Sequence, residues 1–151
     1  MKKVIMIMCA AGILSIGIGI AQSAEKKVKM SDLPAAVQQA IAQQSKGATV
    51  KGLATEVEDG KTLYEAELMV NGHSKDVTFD AQGNVVDLEE QTSLDKIPAE
   101  ARAAIQKAAG NGEVLLVETV TEKGVTNYEA QIKKGGKKSE VVVDAAGKAV
   151  K

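Results

Sequence analysis

The chain has 151 residues, 44% hydrophobic and 26% charged, with only three aromatics: Tyr64, Phe79 and Tyr128. Nineteen Lys and Arg against 20 Asp and Glu leave a formal net charge of −1, beside one His and one Cys. These figures exclude collagen-like, low-complexity and disulfide-rich classes and a strongly basic nucleic-acid binder, leaving one or two small globular domains.

Lys2 and Lys3 precede an apolar run, Val4 to Ile20, which gives way to Ala21-Gln22-Ser23-Ala24. A charged start, an apolar centre and a small-residue exit predict a secretory signal peptide over residues 1–24, cleaved between 21 and 24. Cys9 reads as apolar filler of that segment, because Met6-Ile7-Met8 lacks the small residues of a lipoprotein signal. No cysteine follows it, so the exported chain enters an oxidising compartment without disulfides and must be held by apolar burial. The expectation is a periplasmic or secreted protein with no membrane association after cleavage.

Residues 33–87 align with 97–151 at a constant offset of 64, without a gap, and 18 of 55 positions are identical. This predicts two copies of one supersecondary unit, over 25–91 and 92–151, joined through Gln91 to Lys96. Each copy opens with a helix behind Pro34 or Pro98. Val37, Ala40 and Ile41, then Ala101, Ala104, Ile105 and Ala108, supply a one-sided apolar stripe. Glycines at Gly47 and at Gly110 and Gly112 mark the helix ends.

Turn residues then set the strand register. Asp59-Gly60, Asn71-Gly72, Lys123-Gly124 and Gly135-Gly136 each fit a two-residue hairpin turn, in which both positions need positive φ. Those turns place Tyr64 across from Phe79, Ala66 across from Val77, Tyr128 across from Val143 and Ala130 across from Val141. All the choices put apolar residues on one face, and a one-residue slip would invert that face. A fourth strand is expected near Val85–Glu90, its twin cut short at Val150-Lys151. The fold class is α+β: two tandem helix-plus-antiparallel-meander units, with helices covering one face of a sheet.

Candidate chemistry is sparse. His73 sits beside a hairpin turn with no second His, so no acid–base–nucleophile set converges and the protein is expected not to be an enzyme. Asp80 and Asp144 precede glycine turns and read as turn-forming residues. On the outward sheet face the register sets Glu67 opposite Asp76, with Glu65 one step along, and Glu118 opposite Glu129. Like charges across a ladder either splay into water or mark a cation or basic-partner site, with Glu65, Glu67 and Asp76 as the candidates. Val114, Leu116, Val120 and Val142 also point outward by register. They form an exposed apolar partner surface, or they bury against the first unit, or they simply reflect β-propensity. Lys133, Lys134, Lys137 and Lys138 make a basic hairpin tip that keeps the edge soluble or meets an anionic surface. No resident metal or cofactor is implied.

Leu33-Pro34, Tyr64-Glu65-Ala66-Glu67, Asn71-Gly72 and the stretch Val77 to Val85 resemble a PepSY-like family of β-lactamase-inhibitor-like proteins. So do Ile97-Pro98, Tyr128-Glu129-Ala130 and the stretch Val141 to Gly147, giving two tandem copies. The resemblance implies a two-layer sandwich of helices on an antiparallel sheet, in a non-catalytic periplasmic module that binds or restrains a protein partner of the protease type. An inhibitor of that fold uses a disulfide and an aromatic-rich contact face, whereas here the three aromatics point inward. The leading expectation is therefore a module that engages a periplasmic protein through its sheet face. The alternative is a cation- or small-ligand-sensing module using the outward carboxylates.

Overall fold

A computed structural model describes residues 25–150. Eight antiparallel strands follow chain order across one sheet: β1 (Lys26–Lys27), β2 (Thr49–Glu58), β3 (Lys61–Val70), β4 (His73–Phe79), β5 (Val85–Thr92), β6 (Glu113–Glu122), β7 (Val125–Lys134) and β8 (Lys137–Val143). Two helices interrupt them, α1 (Ala35–Gln44) before β2 and α2 (Ala99–Ala109) before β6. The α+β architecture is thus as expected. The proposed leader, 1–24, lies outside the described residues.

The helices begin where proline stops being an obstacle. Pro34 and Pro98 each immediately precede the first helical residue, and their carbonyls accept the first helical hydrogen bonds, from Gln38 N at 3.0 Å and Arg102 N at 2.9 Å. α1 buries Val37 and Ile41, and α2 buries Ala101, Ile105 and Ala109. Gly110, at φ 58°, closes α2 by donating its N–H to Gln106 O.

All four hairpin turns adopt positive φ at both central residues: 47° and 76° at Asp59-Gly60, 51° and 85° at Asn71-Gly72, 51° and 77° at Lys123-Gly124, and 57° and 79° at Gly135-Gly136. The resulting ladders pair Leu53 with Ala66, Thr55 with Tyr64, Tyr64 with Phe79, Ala66 with Val77, Tyr128 with Val143 and Ala130 with Val141. The register expected from the turns is the observed one. Strand β5 extends further than expected, taking in Gln91 and Thr92, and β1 adds two residues that no hydrophobic pattern announces.

The described chain divides into two compact units, residues 25–92 with 118–126, and residues 93–117 with 127–150. In the first, Leu33, Val37, Ile41, Ala66, Leu68, Val77 and Phe79 form the core, with Tyr64 packed against it. In the second, Ile97, Ala101, Ile105, Val117, Ala130 and Val143 do so, joined by Tyr128. Burial of this kind is worth about 1.5–3 kcal/mol for each large side chain.

A five-residue loop pins each helix to its strands. Asp80 N donates to Asn84 O at 3.0 Å, and Asp80 Oδ1 accepts from Gln82 N and Asn84 N, both at 2.9 Å. Sixty-four residues on, Asp144 N donates to Lys148 O at 2.9 Å, and Asp144 Oδ1 accepts from Ala146 N and Lys148 N at 2.9 Å. Asp80 and Asp144 therefore serve the turns, as expected, and hydrogen bonds hold the Asp80 carboxyl below its ordinary pKa. At the apex of each loop a glycine lies under the first turn of the helix. A Cβ on Gly83 would sit 2.7 Å from Ala36 O, and one on Gly147 2.5 Å from Glu100 O.

That contact predicts a contrast between two glycines of nearly equal φ. Gly124 has open space where its Cβ would be, so Gly124→Ala should cost only the backbone strain, about 1 kcal/mol. Gly147→Ala adds a collision with helix backbone and should cost roughly 2–3 kcal/mol in urea unfolding. Equal losses at the two sites would show that the loop–helix contact does not matter.

Candidate functional site

The outward face of the sheet holds buried acid. Glu65, Asp76, Asp87, Glu89 and Glu118 are each 5% exposed or less, and Glu129 is 9%. Their positions follow from strand parity. The β3–β4 ladder puts Glu67 opposite Asp76, and the β4–β5 ladder puts Asp76 opposite Glu89. Glu118 of β6 completes the group: carboxylate oxygens of Asp76, Glu89 and Glu118 all lie within 4.8 Å of one another. All three residues belong to the larger compact unit.

Neighbouring groups fix this arrangement. Ser74 Oγ donates to Glu118 Oε1 at 3.2 Å, while Ser74 N donates to Gln91 Oε1 at 3.0 Å. Glu67 leans over Gly52, where a Cβ would meet Glu67 Oε2 at 2.6 Å. Gly52 lies at the register shift of β2, so the missing side chain leaves room for a carboxylate. Two pairs further along β4 and β5, Thr78 faces Asp87, and there Thr78 Oγ1 and Asp87 Oδ1 are buried without a hydrogen-bond partner.

The electrostatic consequence is large. Burial, then the charges of Glu25, Asp76, Glu67 and Glu56, raise the Glu65 carboxyl to about 8. Burial, then Glu122, raise Asp87 to about 7, against the pull of the Leu88 amide. A carboxylate transferred from water into such surroundings is stable only when protonated or paired with positive charge. The expectation that these acids splay into water is overturned, because the sheet face buries them.

The structure places the other expected residues differently. Of Glu65, Glu67 and Asp76, only Asp76 belongs to the three-carboxylate group; Glu65 lies two residues along β3 from Glu67, which faces Asp76. Val114 does not face outward: it packs against the core of the second unit together with Val117. Two residues three apart on one strand share a face only where the alternation breaks, as it does at the register shift between Val50 and Gly52 in β2. Val120 is 6% exposed, and Leu116 and Val142 are half-buried, so these four do not make an exposed apolar surface.

Lys133, Lys134, Lys137 and Lys138 are all exposed, paired across the Gly135-Gly136 turn as Lys133 with Lys138 and Lys134 with Lys137. Lys134 Nζ reaches Gly110 at the C-terminal end of α2, where helix carbonyls favour a cation. His73 is exposed and borders an open polar cleft of about 520 Å3, shared with Gln44, Lys46, Ser74, Lys75 and Gln91. The Lys75 ammonium in that cleft is 3.7 Å from Glu90 Oε1 and donates to Gln44 Oε1 at 3.1 Å.

Glu89 and Asp87 were not among the residues expected to form a site, and Glu118 entered only as half of a like-charge pair. A signal for Glu89 does exist: carrying the register through the Gln82-Gly83 turn sets it beside Asp76. The position of Glu118 depends on long-range strand placement, which no turn residue specifies.

No protein-family model matches the sequence, and no curated protein matches it. Solved structures do. A protein of Bacteroides eggerthii described as periplasmic is similar at TM-score 0.64 and 22% identity, over 79% of this chain and 86% of that one. A DUF2874 family protein of Bacteroides ovatus is similar at TM-score 0.61 and 23% identity, over 79% and 85%. A BLIP-like protein of Bacteroides fragilis gives TM-score 0.57 and 23% identity, over 79% and 84%. The fold is therefore BLIP-like. No helix among the described residues is long and apolar enough to cross a membrane.

The raised carboxyls set a pH dependence. Folded Glu65 and Asp87 hold protons more tightly than they do unfolded, from ordinary values of 4.5 and 3.8 up to about 8 and about 7. The stability they confer is complete below those ordinary values and is lost as pH rises through about 7 to 8. In metal-free buffer, the melting temperature should be higher near pH ~5 than near pH ~9. Glu65→Gln should reduce that difference by raising the value at the alkaline end. A melting temperature that rises with pH over this range would contradict the burial of these groups.

Proposed function

We propose that the protein is a non-catalytic periplasmic module that responds to a hard divalent cation, bound by the carboxylates of Asp76, Glu89 and Glu118. The observation that carries this reading is the approach of three buried carboxylates, from three strands, to within 4.8 Å. Oxygen donors without His or Cys suit Ca2+ or Mg2+ better than Zn2+ or Cu2+. A site built from separate strands tolerates the longer, more variable bonds of Ca2+ better than the strict octahedron of Mg2+. A bound ion would offset the mutual repulsion of the group, coupling occupancy to the stability of the sheet.

Further support comes from the surroundings. Glu65 and Asp87 are pushed up to about 8 and about 7 nearby, by burial first and by neighbouring carboxylates second. The alternative reading, a protein partner held on the sheet face, loses its intended surface with the burial of Val120 and the inward packing of Val114. The periplasmic assignment rests on the leader-like residues 1–24 and on the compartment of the similar B. eggerthii protein. The recurrence of the Asp80 and Asp144 loops 64 residues apart supports reading 25–91 and 92–151 as tandem copies of a PepSY-like unit.

Thermal unfolding with added Ca2+, Mg2+ or Zn2+ tests the cation directly. Ca2+ at a hundredfold excess over its Kd should raise the melting temperature by roughly 10 °C at neutral pH. Asp76→Asn combined with Glu118→Gln should remove the shift and weaken calorimetric binding at least ~10-fold, the loss expected when ligands go. No shift at about millimolar Ca2+, the weak end of the natural range, would reject the reading. So would a shift that survives in the double variant.

A further inference from the structure

Helix α1 is shorter than the strands beneath it. Ten residues of helix span about 15 Å, whereas the ten residues of β3 span about 33 Å. Beyond Gln44, the last helical residue, the helix side of the sheet continues with polar side chains in place of core. Lys75 pairs with Leu68, a core residue of β3, and with Glu90 on β5. Together with the β3–β4 turn these residues bound the open cleft of about 520 Å3, and every residue lining it belongs to the first compact unit.

Hydrogen bonding within the cleft commits its acceptors and spares its donors. The Lys75 ammonium donates to Gln44 Oε1 at 3.1 Å, and Ser74 N donates to Gln91 Oε1 at 3.0 Å. Turning either amide over would set NH2 against N–H, so both oxygens are engaged and both NH2 groups remain to donate. The Lys75 side chain is only 19% exposed, and its Glu90 partner lies 3.7 Å away and is half-exposed. A part-buried ammonium is thus held by a neutral amide and a loose ion pair. Lys46 adds a second ammonium, and Glu90 is the one carboxylate among the described lining residues. A surface so rich in donors is complementary to an oxyanion.

The fold itself does not require this set. The carbonyl end of a helix attracts cations, which suits Lys46 and Lys75 but gives no reason for the two amides. Sixty-four residues on, Gln44, Lys46, Val70 and Lys75 are replaced by Ala108, Gly110, Lys134 and Ser139, and α2 and its hairpin form nonetheless. There Lys134 Nζ lies 3.2 Å from where a Gly110 Cβ would sit, taking up the space at the helix end.

We propose that the cleft of the first unit binds a small hydroxylated molecule carrying a carboxylate or a phosphate. Lys75 pairs with the anionic group, the Gln44 and Gln91 amides donate to its oxygens, and Glu90 accepts from a hydroxyl. The volume of about 520 Å3 falls within the range of about 300–1,000 Å3 usual for small-molecule sites, and a bare oxyanion would fill little of it. Among the described lining residues only Val70 is apolar, so the ligand is polar throughout. The site lies on the helix side of the sheet and stands or falls independently of the carboxylate group on the other face.

Calorimetry on the metal-stripped full chain tests this, with galacturonate, glucose 6-phosphate, galactose and inorganic phosphate as probes. At least one of the two sugar anions should bind with a Kd of ~1 mM or tighter. Galactose, and phosphate alone, should bind at least ~10-fold more weakly, each lacking half of the recognised groups. Gln44→Glu puts a carboxylate in place of a donor while giving Lys75 an ionic partner, so it should abolish binding and leave the melting temperature unchanged or raised. Lys75→Met keeps the stem without the ammonium and should weaken binding at least ~10-fold. Lys134→Met, in the second unit, should leave the affinity as it was. No binding of either sugar anion at about 10 mM would overturn the proposal. So would equal affinity for galactose or for phosphate alone, or binding that survives Gln44→Glu.

Discussion

A β-hairpin closed by two residues at positive φ has no freedom of register: the turn dictates which residue faces which. Four such turns occur among the described residues, and side-chain direction alternates along a regular strand, so each turn decides two faces at once. Placing Tyr64, Ala66, Val77 and Phe79 under α1 commits Glu65, Glu67, Asp76 and Thr78 to the opposite side. The core and the carboxylate group are therefore one decision. No local change can move an acid off that face without also taking an apolar residue out of the core.

The acidic face opposes folding, and this is the point at which stability and function separate. Burial raises the Glu65 and Asp87 carboxyls and, while they are charged, weakens the fold that assembles them. Unpartnered Thr78 Oγ1 and Asp87 Oδ1 deepen the debt. Such features persist where local rules are broken for a purpose, and a cation would turn the repulsion into cohesion.

Much of this was legible in the sequence because it depends on local chemistry. Asn71-Gly72 announces its own turn, Pro34 and Pro98 announce helix starts, and the 64-residue offset carries each assignment to a second place. What the sequence hid depends on irregularity or distance. Val114 was misplaced because a break in alternation leaves no signature beyond the residues themselves. Glu89 lay within reach of a count through the Gln82-Gly83 turn, whereas Glu118 required strand placement that no turn encodes. Burial of the outward acids was hidden for a further reason: polarity predicts exposure, and only three-dimensional crowding overrides it.

The glycine contacts beneath the helices have one more consequence. Gly83 and Gly147 hold the strand ends against the starts of α1 and α2 through backbone oxygen, whereas a Cβ placed on Gly72, Gly135 or Gly136 at the tips would meet open space. Each unit is thus clamped at one end by glycine packing and held near the other by lysine contacts, Lys75 on Gln44 and Lys134 beside Gly110. Breathing motions of the sheet should start at the turn tips and fade toward the glycine clamps, a gradient of local unfolding steepened by two missing methyl groups. Ser74, three residues beyond Asn71, lies on the mobile side of that gradient, with its hydroxyl on Glu118. Fluctuation at the tip is therefore tied to the spacing of the carboxylates.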